Sequence, residues 1–191
     1  MPRHTDTRSR ILELAHSLLQ AHGFHGFSYR HLADALGIKT AAVHYHFRNK
    51  ADLGVELVIE LRRKFQCWAT DIDNRTLKAM ERLDGFCEMH RMILDHGGSS
   101  PFGLLDVLVD QLPERMSREV LVLAGEIHGW LARTLRQGLA SGELSFHGEP
   151  DDQALIVGAA ILGALLMARA LGADKYRSAI AQLKKQLTPG K

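Results

Sequence analysis

Apolar residues recur every three or four positions along nearly the whole chain, and runs that alternate apolar with polar residues are nearly absent. The first spacing is that of an amphipathic α-helix, whereas the second belongs to a half-buried strand. Residues 7–22 carry a regular stripe, and Gly23 is a typical residue for the end of that helix. The stripe consists of Ile11, Leu12, Ala15, Leu18 and Leu19. The pattern predicts an all-α fold of about nine helices.

Two short helices follow in close succession. Ser28 is a good N-cap for a helix over residues 29–36, and Gly37 provides the turn that ends it. Thr40 then caps a helix over residues 40–46. Two short helices around a glycine turn are typical of the helix-turn-helix DNA reader. We therefore predict a helix-turn-helix DNA-binding domain over residues 1–49.

Residues 50–191 are predicted to form a second, helical domain with regulatory and dimerisation roles. Its first helix begins near Lys50 and continues to about residue 71. The Gly-Gly-Ser-Ser-Pro sequence at 97–101 is the clearest loop in the chain. Further helices are predicted over residues 75–96, 102–112, 114–140, 151–171 and 175–187.

Charge is distributed unevenly along the chain. The formal net charge of all 191 residues is only +2. The first 50 residues contain seven Lys and Arg against three acids, which gives +4, and the remainder contains 17 against 19, which gives −2. A basic first quarter on a nearly neutral body favours a local polyanion-binding site over a polycationic protein.

Composition excludes several other classes. The two cysteines, Cys67 and Cys87, form neither a CxxC motif nor a Cys/His zinc spacing, so we expect no disulfide framework, no metal and no cofactor. The N-terminus lacks the apolar core of a signal peptide. The longest uncharged apolar run, residues 154–168, is shorter than a membrane-spanning helix. We therefore expect a cytoplasmic protein.

The candidate DNA contacts lie on and around the second short helix. Small residues such as Thr40 and Ala41 would let its N-terminus enter the major groove closely. Lys50 begins the next helix, where both its charge and the helix dipole favour a phosphate. Three of the candidates, His44, Tyr45 and His46, could instead be partly buried packing residues. The predicted DNA-binding residues are Ser28, Tyr29, Arg30, Lys39, Thr40, Ala41, His44, Tyr45, His46 and Lys50.

Residues 7–53 resemble the TetR family of bacterial transcriptional repressors. The matching pieces are TRSRIL at 7–12, GFHGFS at 23–28, Leu-Ala at 32–33 with Leu-Gly-Ile at 36–38, and VHYHFRNKADL at 43–53. The last piece is the most specific. One departure matters, because the family usually has Tyr where this chain has His44, and that Tyr is a frequent phosphate ligand. The resemblance implies that Tyr45 or His44 itself takes over this role.

The resemblance also implies a body that dimerises and senses a ligand. The helix at 151–171 supports dimerisation independently, because small residues at four-residue spacing permit close helix approach. The alternative is a helix buried inside its own monomer. The candidate dimer-interface residues are Leu155, Ala160, Gly163, Ala164, Met167 and Ala168.

The body also contains candidates for a small, largely apolar inducer site. They lie at apolar helical spacing on the fourth to seventh helices, where such stripes are more often simply core. The candidate ligand-binding residues are Trp68, Phe86, Met89, His90, Ile93, Phe102, Leu105, Val109, Ile127 and Trp130.

Other function classes fit the sequence less well. The eleven histidines are scattered, and no HExxH, Gly-x-Ser-x-Gly or phosphate-binding loop is present, so we do not expect an enzyme. We expect a homodimeric, sequence-specific transcriptional regulator of double-stranded DNA, a repressor released from a palindromic operator by an unknown small molecule. The alternatives are a small-molecule-binding or redox-sensing regulator that acts as an activator, and an architectural DNA binder.

Overall fold

All regular secondary structure in the described part of the chain is helical, which confirms the predicted fold class. The computed structural model describes residues 4–75, 78–95, 100–106 and 109–189. Two short 3-10 helices, Phe24–Gly26 and Val109–Gln111, accompany the α-helices in these ranges. The α-helices are α1 (His4–His22), α2 (Tyr29–Leu36), α3 (Thr40–His46), α4 (Lys50–Asn74), α5 (Ala79–Asp95), α6 (Pro101–Asp106), α7 (Glu114–Ala140), α8 (Pro150–Leu171) and α9 (Asp174–Leu187).

The chain divides into two compact units. The first unit consists of Met1–Arg63 and Pro101–Leu123, and the second unit consists of Lys64–Ser100 and Ala124–Lys191. The first unit thus contains more than the three N-terminal helices, since the first part of α4, α6 and the start of α7 belong to it. The domain boundary between residues 49 and 50 stays a prediction.

The centre of the first unit is the inner stripe of α1. Ile11, Ala15 and Leu19 are fully buried, and Leu32 of α2 and Val43 of α3 are buried as completely. Burying an aliphatic side chain of this size contributes about 1.5–3 kcal/mol. The short helices α2 and α3 are therefore held mainly by packing, because helices of eight and seven residues are not stable alone.

The turn between α2 and α3 has the local chemistry that the sequence indicates. Ser28 Oγ accepts the backbone N–H of His31 at 3.4 Å. Gly37 adopts the left-handed conformation with φ of 65°, and Ile38 N donates to Ala33 O at 3.0 Å, which closes the end of α2. Thr40 is the first residue of α3 and not its cap. Lys39 occupies the cap position without a side-chain hydrogen bond.

In the first unit, α4 approaches the start of α7 closely at Gly54. A Cβ at this position would lie 2.5 Å from Met116 Sδ and 2.8 Å from Phe24 Cε2, so only glycine fits without a shift of its neighbours. One turn of α7 further on, Arg62 Nη1 donates to Glu119 Oε2 at 2.6 Å. The first part of α4 and the start of α7 are thus packed and ion-paired as one piece.

The second unit is built from α5, α8, α9 and the remaining parts of α4 and α7. Glu143 satisfies the first N–H groups of α5, because its carboxylate accepts from Ala79 N at 2.8 Å and Met80 N at 3.1 Å. Tyr176 of α9 donates its hydroxyl to Cys87 O of α5 at 2.7 Å. Glu143 therefore holds the start of α5 within the unit, and Tyr176 holds its middle.

Two helices differ from their predicted bounds by more than three residues at one end. The helix predicted over 75–96 begins at Ala79, and part of the predicted loop at 97–101 lies outside the described residues. The helix predicted over 102–112 is observed as α6 followed by the 3-10 helix Val109–Gln111. Pro113 comes two residues after this 3-10 helix, and its ring disfavours an α-helical conformation at Leu112.

Candidate functional site

The recognition helix α3 has one buried and one exposed face. Val43 and the following Phe47 are buried, whereas Thr40 and Ala41 are exposed. Tyr45 is 76% exposed, which is the largest value among the exposed large apolar side chains in the described residues. The predicted recognition residues Lys39, Thr40, Ala41, His44 and Tyr45 are all exposed. A single exposed aromatic residue is ordinary on a protein surface, so the candidate surface is defined by the whole exposed face of α3 and not by Tyr45 alone.

Tyr29 does not belong to this exposed set. Its side chain is 8% exposed, and its hydroxyl donates to Phe47 O at 3.0 Å. Burial, with a smaller contribution from the charge of Asp52, raises the pKa of Tyr29 to about 12. The predicted DNA contact of the Tyr29 side chain is therefore corrected, because its hydroxyl joins α2 to the end of α3.

His44 is exposed but held in place. Its Nδ1 lies 3.2 Å from Arg48 O, and its ring meets the ring of Tyr29 edge to face at 4.7 Å. Because a carbonyl oxygen only accepts, Nδ1 carries the proton in this hydrogen bond. The Nε2 atom of neutral His44 is then an acceptor, so only the charged ring can donate to a phosphate.

Lys50 is turned toward the protein more than the sequence suggests. Its ammonium donates to Phe27 O and lies 4.8 Å from the ring centre of Phe24 and 4.6 Å from that of Phe27. Burial lowers its pKa. The phosphate contact of this ammonium stays a prediction, and the ammonium also ties the start of α4 to the residue before Ser28.

The remaining predicted contacts lie around this surface. Ser28 and His46 are half-buried. Arg30 is exposed, and its Nε lies 3.7 Å from Asp34 Oδ2 one turn further along α2. At this distance and exposure the ion pair is weak, so Arg30 can exchange it for a phosphate at little cost.

A groove of about 210 Å³ lies behind α3 in the first unit. Two of the three arginines that line it are paired, since Arg8 Nη2 lies 2.6 Å from Glu56 Oε2 and Arg115 Nη1 lies 3.2 Å from Asp52 Oδ1. Arg8 also lies over the ring of Phe47 at 5.2 Å. These arginines therefore stabilise the unit and add little to the basic charge that the sequence suggests for DNA binding.

Four of the predicted ligand residues meet in an aromatic cluster of the second unit. Ring centres are 5.0 Å apart for Trp68 and Trp130, 5.6 Å for Phe86 and Trp130, and 4.6 Å for Phe86 and His90. Phe65, which the sequence analysis missed, stacks on Trp68 at 6.0 Å. Phe65 stands three residues before Trp68 on the same helix, and this spacing, which places both rings on one face, could have identified it.

His90 is a neutral member of this cluster. It is 5% exposed, its Nδ1 lies 2.9 Å from Phe86 O, and burial lowers its pKa. The Nδ1 proton is used by the backbone, which leaves Nε2 as an acceptor. His90 thus provides the only titratable group among these five rings without adding a charge.

The other predicted ligand residues are not part of this cluster of rings. Met89, Ile93 and Ile127 are half-buried in the second unit. Leu105 is buried and Val109 half-buried, and both belong to the first unit. The side chain of Phe102 lies outside the described residues. The ten predicted residues are therefore divided between the two units.

A polar cavity of about 240 Å³ borders Trp130 in the second unit. Sequence reasoning missed its other lining residues, which come from α4, α5 and α7. The lining residues are Asp73, Arg82, Trp130, Arg133, Thr134 and Gln137.

Helix α8 has a wide exposed apolar face. Leu155 and Met167 of the predicted interface are 61% and 53% exposed, whereas Ala160 and Gly163 are half-buried. Three further apolar residues, Ile156, Leu166 and Leu171, are exposed between 57% and 64%. Ala164 and Ala168 are 5% and 4% exposed within their own protomer, so their place in the predicted interface is corrected. The small residues allow packing inside the unit, and the large ones remain uncovered.

This face raises a second interpretation of α8. Of the described helices, α8 alone is long and apolar enough to cross a membrane, with a mean hydropathy of 2.2 over its most apolar window. A third of that window is buried within the protein, where Ala154, Val157 and Ile161 form a continuous inner stripe. One such helix, with one face packed on its own unit, is better explained by a protein partner.

Metal and thiol chemistry find little support in the described part of the chain. No group of three or more His, Cys, Asp or Glu side chains there could hold a metal ion. Cys67 is exposed, whereas Cys87 is buried, and burial raises the pKa of Cys87 to about 11. A thiol with so high a pKa is not a reactive thiolate near neutral pH, which weakens the redox alternative for Cys87.

Comparison with known proteins agrees with this geometry. Residues 11–57 match the family of bacterial regulatory proteins, tetR family. The chain is 34% identical over 82 residues to the HTH-type transcriptional repressor KstR2 of Mycobacterium tuberculosis. That match covers 41% of this chain and 39% of the repressor, so the chain matches about two-fifths of the length of its curated relatives.

Similarity to solved structures extends over nearly the whole chain. A TetR-family transcriptional regulator from Agrobacterium tumefaciens is 27% identical with a TM-score of 0.93, over 98% of this chain and 100% of that chain. A TetR transcriptional regulator from Legionella pneumophila is 25% identical with a TM-score of 0.84, over 94% and 96% of the two chains. The resemblance seen in the N-terminal sequence is thereby confirmed.

Proposed function

Because this chain belongs to the TetR family of bacterial regulatory proteins, we propose that it is a cytoplasmic transcriptional repressor that binds a palindromic DNA operator as a homodimer. The observation that carries this proposal is the exposed face of α3, which presents small and polar side chains at its N-terminus and Tyr45 near its end. The family consists of transcriptional regulators, and catalysis forms no part of the proposal.

The DNA-binding step divides into two kinds of contact. Thr40 and Ala41 are small enough to approach base edges, where a hydroxyl can hydrogen-bond and a methyl group can pack on thymine. Lys39, Arg30 and Tyr45 lie around them and reach phosphates, which position the helix but carry no sequence information. The decrease of DNA affinity with salt concentration then measures the number of phosphate contacts. The preferred base sequence depends on the base contacts made by the N-terminus of α3.

The dimer places two copies of α3 on one operator. The exposed face of α8, with Leu155, Leu166 and Met167, is the apolar surface that a second copy would cover. A twofold interface is self-complementary, which matches a palindromic site. The two recognition helices must then lie about 34–36 Å apart, one turn of the DNA helix.

Release of the repressor from its operator requires a ligand whose binding changes the distance between the two recognition helices. The aromatic cluster around Trp68 and Trp130 in the second unit supports a small, largely apolar ligand. Both α4 and α7 continue along the chain into the first unit, where Arg62 pairs with Glu119 and Gly54 approaches Met116. We infer that a ligand acts by favouring one arrangement of these two helices, with a coupling free energy of about 1–3 kcal/mol.

The test is a selection of random double-stranded DNA on the purified full chain, followed by sequencing of the retained fraction. The proposal expects a palindromic motif whose half-sites are centred about 10–10.5 base pairs, or a multiple of that, apart. The variant Thr40→Val should change the motif, whereas Ile59→Ala, at an exposed position on α4, should not. Retention without any motif would favour an architectural DNA binder, and no retention would overturn the proposed DNA-binding function.

A further inference from the structure

The polar cavity beside Trp130 is built largely on one face of α7. Trp130, Arg133, Thr134 and Gln137 follow the spacing i, i+3, i+4 and i+7, which places them on one side of a helix. Asp73 near the end of α4 and Arg82 of α5 complete the lining. All six residues belong to the second unit. The cavity is therefore a feature of one compact unit and holds about 240 Å³.

Asp73 supplies the only carboxylate among the lining residues, and it already interacts with neighbouring polar groups. Asp73 Oδ1 accepts the indole N–H of Trp130 at 3.3 Å and lies 3.4 Å from Arg82 Nη1. Arg82 Nη1 also donates to Gln137 Oε1 at 2.8 Å. Asp73 and Arg82 thus neutralise each other and hold Trp130 and Gln137 in position. A ligand cation would find no unpaired carboxylate here.

Three hydrogen-bond donors of the cavity have no partner in the described part of the chain. The guanidinium of exposed Arg133 makes neither an ion pair nor a hydrogen bond there. The amide oxygen of Gln137 is used by Arg82, which leaves its NH₂ group. Thr134 is 1% exposed, lines the cavity, and its hydroxyl has no hydrogen-bond partner among the described residues. The hydroxyl oxygen is not among the fully buried side-chain atoms that lack a partner in the described residues, so it is open to the cavity and can donate to a ligand acceptor there.

We propose that this cavity binds the carboxylate of a small amphipathic monocarboxylic acid, whose apolar part covers the indole edge of Trp130. Arg133 supplies the uncompensated positive charge and a planar fork that matches a carboxylate. Thr134 and Gln137 supply the neutral donors. Trp130 also belongs to the aromatic cluster, where its ring centre lies 5.6 Å from that of Phe86. The assignment rests on the proposed ligand-responsive function and specifies the polar end of the ligand.

The test is titration calorimetry of the full chain with benzoate, phenylacetate and octanoate, each compared with its neutral amide and with inorganic phosphate. At least one carboxylate should bind saturably, and its amide should bind about tenfold more weakly or worse, because the amide cannot neutralise Arg133. Inorganic phosphate should bind far more weakly than that carboxylate, since it has no apolar part to cover Trp130.

Matched variants locate the site. Arg133→Gln should weaken carboxylate binding by about tenfold or more, and Thr134→Val by about threefold to tenfold. Arg136→Gln is the control, because Arg136 lies on the same helix but outside this cavity and pairs with Asp151 at 2.6 Å. The control should bind the carboxylate with unchanged affinity. Thermal unfolding of each variant shows whether it is folded.

Several results would overturn the assignment. Equal affinity for acid and amide, phosphate binding as tight as that of the acids, unchanged binding by a folded Arg133→Gln protein, or no saturable binding of any acid at millimolar concentration would each do so. Operator binding without ligand is measured separately. A protein that selects a DNA motif but binds no carboxylate refutes only this site, whereas carboxylate binding without a DNA motif refutes only the proposed repressor function.

Discussion

The ammonium of Lys50 donates to the backbone carbonyl of Phe27 and lies over the ring of that same residue. Phe27 immediately precedes Ser28, the cap of α2, while Lys50 is the first residue of α4. One side chain therefore fixes the start of α2 from 23 residues away. Because α2 positions α3, we expect this contact to affect both the stability of the first unit and its ability to bind DNA.

Substitution of Lys50 should affect both properties. Lys50→Met keeps the apolar stem but removes the donor and the charge, so we expect a loss of about 1–2 kcal/mol in the free energy of unfolding. DNA affinity should fall for all sequences. If Lys50 also contacts a phosphate, the slope of log affinity against log salt should become less steep by about one unit.

Lys39→Met separates these two effects. Lys39 is exposed, so its loss should leave thermal unfolding unchanged while it reduces the salt slope by about one unit. Chemical denaturation and gel-shift titrations at several salt concentrations measure both quantities. A Lys50→Met protein as stable as the wild type would contradict the role of the Phe27 contact.

The raised pKa of Tyr29 predicts that the protein loses stability at alkaline pH. Its folded-state pKa of about 12 lies above the ordinary value of 10.0, so the native state retains a proton that the unfolded chain loses. The contribution is complete below about pH 10 and is lost as the pH rises toward about 12. Tyr29→Phe should therefore make the free energy of unfolding fall less between about pH 10 and about pH 12. Near neutral pH it should lower the free energy of unfolding by about 1 kcal/mol, because the buried Phe47 carbonyl loses its hydrogen-bond donor.

Tyr176 must be controlled in this experiment. Burial raises its pKa as well, since its hydroxyl donates to Cys87 O in the second unit. We therefore expect Tyr29→Phe and Tyr176→Phe each to remove part of the alkaline destabilisation, and the double variant to remove more than either. Urea denaturation across this pH range measures the effect. An unchanged pH profile in Tyr29→Phe would contradict the buried hydrogen bond.

These examples show where sequence reasoning succeeded and where it stopped. The capping by Ser28 and the turn at Gly37 were predictable, because both depend on residues within one turn of a helix. The partners of Tyr29 and Lys50 were not, because Phe47 and Phe27 are distant in the chain and an exposed or inward rotamer fits the same sequence. Periodicity found four of the five rings of the aromatic cluster and missed Phe65, and it could not show that Asp73 and Arg82 line one cavity.

Helix α8 shows a second limit of the same kind. Its apolar residues cover every side, so the sequence does not distinguish the face that packs inside the protomer from the face that remains exposed. The structure makes that distinction, since Ala164 is buried while Leu166 is 64% exposed. The interface prediction can now be restricted to the large exposed residues.

Gly54 should not tolerate a side chain. Gly54→Ala would place a methyl group against Met116 and Phe24, and we expect a destabilisation of about 1–3 kcal/mol from overpacking. Gly125→Ala on α7 is the control, because a Cβ there meets nothing within 4 Å. Since alanine favours a helix, the control should be neutral or more stable by up to about 1 kcal/mol.

Thermal unfolding distinguishes the two glycine variants. A change of 1 kcal/mol corresponds to about 2–4 °C in Tm for a chain of this size. The double variant Gly54→Ala with Met116→Ala should be less destabilised than the sum of its single changes, because the smaller residue relieves the overlap. Equal Tm values for Gly54→Ala and Gly125→Ala would contradict the close packing of α4 on α7.

A charge on the exposed face of α8 should prevent dimerisation. Leu166→Glu and Met167→Glu would each place a carboxylate in the apolar interface that we propose, where it has no counter-charge. Light scattering at micromolar concentration should give a dimer mass for the wild type and a monomer mass for these variants. Ile59→Glu, also at an exposed apolar position but on α4, should remain dimeric. A wild-type monomer would refute the dimer itself.

His44→Tyr should increase DNA affinity. The Nδ1 proton of His44 is directed at Arg48 O, so the neutral ring offers only an acceptor at Nε2, and a phosphate oxygen is also an acceptor. Tyrosine, the residue usual in the family at this position, supplies a hydroxyl donor and should tighten binding by up to about tenfold. His44→Phe, which keeps an aromatic ring on Tyr29 without any donor, should bind no better than the wild type. Gel-shift titrations with the selected operator measure all three proteins. Equal affinities of the wild type and His44→Tyr would show that residue 44 does not face a phosphate.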